Sequence, residues 1–109
     1  MLARMSVWQF KEGKSEVGFL ELDRIFNTVT RHTEGFRGYL SLLTYKNPNA
    51  ATVLTLWQDE NALNASEQKV YADAIRKVQN LLENLPVTSH FRVFSTELFQ
   101  CSSPLTSSL

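Results

Sequence analysis

The chain is poor in several things that would assign it quickly. It has one cysteine, Cys101, in 109 residues, which excludes an internal disulfide and a cysteine-rich metal site. Neither sign of charge dominates: 11 Lys plus Arg stand against 11 Asp plus Glu, for a formal net charge of +0. No overall cationic field steers such a chain onto nucleic acid, and so neutral a surface does little to hold copies of itself apart. No stretch reaches the ~18 apolar residues of a membrane span. The first ten residues lack a signal-peptide layout, because Arg4 interrupts their short apolar run. A soluble, cytoplasmic protein with no membrane or nucleic-acid partner is expected. Also missing are a Gly-x-Ser-x-Gly elbow, a phosphate-cradling glycine loop, a dinucleotide fingerprint and a His-Glu-x-x-His helix. Elbow-type hydrolysis, nucleotide chemistry and zinc chemistry are therefore set aside, and neither cofactor nor metal is expected.

What the chain does have is a core: 43% of its residues are hydrophobic, close to ordinary globular composition. Residues 2–10, with Val7, Trp8 and Phe10, read as a first strand. From Ser15, a candidate N-cap, apolar residues at Phe19, Leu22, Ile25, Phe26 and Val29 recur at helical steps. That helix should run to about residues 32–34, where Gly35 supplies a left-handed stop. Gly18 reads as an interior defect worth up to ~1 kcal/mol relative to alanine.

Residues 39–45 and 52–58 are rich in strand formers and flank Lys46-Asn47-Pro48-Asn49, so they read as a hairpin. Asp59 caps a short helix over 61–65 that breaks near Ser66. A longer helix follows, with Val70, Ala74, Val78, Leu81, Leu82 and Leu85 on one face, ended by Pro86. A last strand is expected over 89–98, and residues 99–109 form a serine-rich tail behind a single domain, 1–98.

Strand, helix, strand, strand, helix, strand is the ferredoxin-like βαββαβ order, an α+β fold with two helices on one face of a four-stranded antiparallel sheet. In the middle hairpin both parities of side chain are apolar: Leu40 and Leu42 alternate with Tyr39, Leu43 and Tyr45, and Leu54 and Leu56 with Val53 and Trp57. A sheet with one wet face should instead alternate apolar with polar. The expectation is a homodimer formed through the sheet face.

Few residues are candidates for chemistry. His90, on the last strand, is the better placed acid/base group, since imidazole titrates near neutrality, while His32 sits where it meets a helix dipole. Tyr71 and Tyr39 can orient a phenolic oxygen or simply fill space. Trp57, just before a helix cap, either completes the core or lines a pocket with its N–H free. Arg37 is a possible anion contact.

Glu34-Gly35-Phe36-Arg37-Gly38-Tyr39, then Val53-Leu54-Thr55-Leu56-Trp57-Gln58-Asp59-Glu60 followed by Ala62-Leu63, resembles the antibiotic biosynthesis monooxygenase domain over residues 2–98. The resemblance implies a dimeric α+β barrel with a pocket between sheet and helices in each subunit. In active members it implies oxygenation of small aromatic phenols or hydroquinones without metal or flavin, the substrate supplying electrons to dioxygen once deprotonated. On that reading Trp57, Arg37 and Lys77 are substrate-binding, and His90 or Tyr71 accepts the proton. The asparagine and tyrosine that polyketide-oxidising members place around the tryptophan are Val53 and Leu63 here. The residues of the haem-degrading branch are replaced by Ser6, Ser66 and Arg76. The alternative is a non-catalytic ligand-binding or assembly module of the same fold.

Overall fold

The computed structural model describes residues 1–97; the expected tail, 99–109, and Leu98 lie outside them. Four strands, β1 (Leu2–Gln9), β2 (Phe36–Leu43), β3 (Ala50–Trp57) and β4 (Val87–Arg92), form one antiparallel sheet in the order β2-β3-β1-β4. Helices α1 (Ser15–Asn27), α2 (Glu60–Gln68) and α3 (Val70–Val78) make the second layer. This is the α+β, ferredoxin-like architecture read from the element order.

The sheet is strongly two-sided. On β1 the side chains of Arg4, Ser6 and Trp8, continued by Phe10 just beyond it, alternate into the interior, and on β3 those of Ala51, Val53, Thr55 and Trp57 do the same. They meet Leu22, Ile25 and Phe26 of α1 and Tyr71, Ala74 and Val78 of α3 in one core. On the opposite face Leu40, Leu42, Val87 and Phe91 remain 47% to 68% exposed, a large apolar surface for a single chain.

Several expected boundaries move, each for a physical reason. The first helix stops at Asn27 rather than near 32–34, where the β-branched run Thr28-Val29-Thr30 begins and the Thr28 hydroxyl donates to the Arg24 carbonyl at 2.6 Å. A single 3-10 turn, Thr30–His32, follows. Ser15 is the first helical residue and not the cap; Lys14 holds that position without a side-chain bond. Asp59 does cap α2, accepting from the Ala62 N–H at 2.9 Å, and the helical break falls at Lys69 instead of Ser66.

The helix expected to reach Pro86 ends at Val78. The end of β1 claims the chain beyond it: Lys11 N–H donates to Leu81 O and Glu83 N–H to Gln9 O, each at 2.8 Å, around a Phe10–Leu82 bridge. β4 starts earlier and ends earlier than 89–98. Among the described residues its only neighbour is β1, and once Arg92 is paired with Leu2 there is almost no partner strand left. Phe94 consequently stands 99% exposed.

Gly18 is no defect. A Cβ there would lie 2.2 Å from the buried Phe10 ring, so its missing side chain is what lets α1 approach β1. Gly35 has φ +83°, as a left-handed stop requires, and a Cβ on it would collide with that of Ala62 at 2.4 Å.

Candidate functional site

Arg4 lies in the middle of β1 with its side chain on the core side, 2% exposed. Register places it directly opposite His90 of β4, and α2 sets Ser66 and Glu67 over both. The Arg4 Nη1 donates to Ser66 Oγ at 3.0 Å and lies 3.5 Å from Glu67 Oε2. The same Glu67 oxygen is hydrogen-bonded to Nε2 of His90. A cation, a carboxylate and an imidazole thus form one line from the core to a half-exposed histidine. A carboxylate acceptor on Nε2 fixes the tautomer with the proton there and leaves Nδ1 as the ring's acceptor.

Aromatic rings enclose the charge. The guanidinium sits 4.4 Å from the Tyr71 ring centroid and 5.6 Å from that of Trp57, cation–π contacts that offset part of the lost hydration. Burial still pulls the Arg4 pKa below its ordinary value, opposed by the charge of Glu67. Burial also pushes the Tyr71 phenol up to about 12, with the Arg4 charge opposing. Tyr71 is therefore protonated near neutrality, able to donate a hydrogen bond but not to accept a proton. Its hydroxyl is buried with no hydrogen-bond partner among the described residues.

The residues singled out from the sequence divide into two groups. His90, Tyr71 and Trp57 come together around Arg4. Trp57 is fully buried, and its N–H is not free: Nε1 donates to Thr55 Oγ1 at 2.9 Å, and the Thr55 hydroxyl is 3.4 Å from the Arg4 carbonyl that accepts from it. Arg37 and Lys77 lie elsewhere. Arg37 is exposed on β2, at the sheet edge remote from β4, and its guanidinium donates to the Gln58 side chain and to Phe36 O. Lys77 is exposed on α3, within electrostatic reach of Glu21 on α1. Tyr39 donates to Asp23 at 2.9 Å, and burial with that bond raises its pKa.

Arg4, Ser66 and Glu67 are the functional candidates that the sequence reading passed over. One signal was available: Arg4 has the same strand parity as Ser6, Trp8 and Phe10, so a strand with that face inward must bury it.

The space between sheet and helices, where the resemblance places a pocket, is occupied by side chains: Trp8, Phe26, Val53 and Trp57 are all 2% exposed or less. Concavity lies instead on the surface. A cleft of about 410 Å³ is walled by Leu2, Leu63, Asn64, His90 and Arg92, with Glu60 at the first turn of α2. A second, of about 500 Å³, is formed by the Gly35 loop, Gln58, Asp59 and the α2–α3 break at Lys69. Among the described residues no group of three or more His, Cys, Asp or Glu is placed to hold a metal ion, and no helix is long and apolar enough to cross a membrane.

Solved structures share this architecture over most of the chain. A candidate antibiotic biosynthesis monooxygenase from Deinococcus radiodurans superposes with a TM-score of 0.75 at 14% identity, covering 93% of this chain and 100% of that one. The chain has the fold of the antibiotic biosynthesis monooxygenases. A second such candidate, from Nitrosomonas europaea, gives a TM-score of 0.73 at 14% identity over 87% of this chain and 100% of its own. A Nitrosomonas europaea protein of unknown function gives 0.76 at 16% over 92% and 95%. No family model and no curated protein matches the sequence.

Proposed function

We propose that this chain is a member of the antibiotic biosynthesis monooxygenase family that oxygenates a small aromatic phenol, hydroquinone or anthrone without a cofactor, using His90 as the base. The observation that carries the reading is the hydrogen bond between Glu67 and His90 on the wall of the 410 Å³ cleft, with Arg4 behind the carboxylate. Glu67 orients the imidazole, as an acidic partner does for a general base, and Arg4 holds Glu67 in place. Nδ1 then takes a proton from the acidic O–H or C–H of the substrate. The resulting anion gives its electrons to dioxygen, a C–O bond forms, and cleavage of the O–O bond with loss of water leaves one oxygen atom in the product.

The test is dioxygen uptake by the metal-free protein over a panel of anthrones and hydroquinones. Uptake above the spontaneous rate is expected, falling to that rate in His90→Ala and partly retained in Glu67→Gln. Uptake unaffected by His90→Ala would remove the histidine from the chemistry, and no uptake at all would leave the non-catalytic module. That second reading is favoured by one observation, the filling of the interior by Trp8 and Trp57.

Two copies of the chain pair through the open sheet face, on this proposal, because Leu40, Leu42, Val87 and Phe91 are otherwise left to water. Light scattering on the eluted protein should give twice the 12.5 kDa chain mass; the mass of a single chain would overturn the pairing.

A further inference from the structure

We infer that the cleft beside His90 selects an aromatic ring bearing a carboxylate, and that Arg92 is the residue that reads it; this rests on the cleft being the substrate site proposed above. His90 and Arg92 are two residues apart on β4, paired in register with Arg4 and Leu2, so both side chains project from the helix-side face of the sheet. That spacing is about 6.8 Å along the strand, comparable with the span across a benzene ring from a carboxylate to a hydroxyl two or three ring carbons away. The two side chains line one cleft together with the apolar Leu2 and Leu63 and the amide of Asn64. A volume of about 410 Å³ lies in the range of small-molecule sites, about 300–1,000 Å³.

The charges divide the roles. Arg4 and Glu67 answer each other inside the fold, so the buried cation is already partnered by a carboxylate. Arg92, by contrast, forms no salt bridge among the described residues, even though Glu60 shares its cleft. A guanidinium presents a planar fork of donors that matches a carboxylate. Asn64, midway along α2 between Glu60 and the Glu67 that meets His90, can accept from a ring hydroxyl. The ring is thereby oriented with its acid toward Arg92 and a phenolic O–H toward Nδ1 of His90.

Calorimetric titration with gentisate, a carboxylated hydroquinone, against hydroquinone itself tests this, with dioxygen uptake recorded on the same samples. The wild-type protein should bind gentisate about tenfold more tightly, a difference of about 1.4 kcal/mol. Arg92→Gln should erase the preference, and Arg92→Glu should turn it into rejection of gentisate. Equal affinities for the two compounds, binding of neither, or a preference that survives in Arg92→Gln would each overturn the assignment. Uptake without a carboxylate preference sinks the role of Arg92 and keeps the oxygenase; an Arg92-dependent preference without uptake sinks the oxygenase and keeps the carboxylate site.

Discussion

Replacing Trp57 by alanine is expected to destabilise the fold by about 3–5 kcal/mol, the range for removing a fully buried large aromatic side chain. The indole is 0% exposed, packs edge-on against Phe36 with ring centroids 5.3 Å apart, and donates its N–H to Thr55. Removing it opens a cavity beneath Arg4, leaves Thr55 Oγ1 without its donor, and deletes one of the two rings that face the guanidinium. The cavity cannot close cheaply, because its walls are β1, β3 and the half-buried Phe36 on β2. Against a total stability of about 5–15 kcal/mol for a domain, the loss should lower the melting temperature by roughly 15–25 °C. In urea the midpoint should fall while the slope stays constant. A variant within about 1 kcal/mol of wild type would show that Trp57 borders an open pocket after all. The consequence for function is direct: a loss of activity in Trp57→Ala would report unfolding, and His90 is the residue at which chemistry can be tested cleanly.

Glu67→Ala should cost about 3 kcal/mol, because it strands a guanidinium that is 2% exposed. Breaking a buried ion pair from one side typically costs about 3–5 kcal/mol, and the lower end applies here because Glu67 keeps 32% of its side-chain surface in water. Ser66 Oγ would remain as a neutral acceptor at 3.0 Å, too weak a partner for a full charge in that setting. The companion variant Arg4→Met keeps the aliphatic stem among Trp57 and Tyr71 and removes the charge. Once Arg4 is methionine, Glu67→Ala should cost much less, so urea titrations of the four proteins should give a coupling of about 1–3 kcal/mol. Strict additivity would mean that Glu67 does not compensate Arg4, and the line of charge leading to His90 would lose its inner half.

The two cases differ in how far they could be read without coordinates. Trp57 offered two readings, core or pocket, and the alternating parity of β3 was visible in both; what decided between them is the contact with Phe36, twenty-one residues earlier across a bulge at Arg37. Arg4 was visible only as an interruption of an apolar run. Its partners are 62 and 63 residues away on α2, and no local pattern announces them. Conversely, Arg37 and Lys77 carry the right charge for an anion site, but each belongs to a surface that the sheet order and helix packing turn away from β4.

By itself the sequence determined the order of the elements, the antiparallel α+β layering, the Asp59 cap, the left-handed turn at Gly35 and the apolar character of both sheet faces. These follow from local chemistry: side-chain periodicity, capping groups and backbone freedom act over a few residues. Only the tertiary structure decided where the helix after Val70 ends, that Gly18 is a contact for Phe10, and that Arg4, Glu67 and His90 share one line of charge. Each of those depends on strand register and on the approach of elements far apart in the chain. A charge can be buried only where a distant residue happens to answer it.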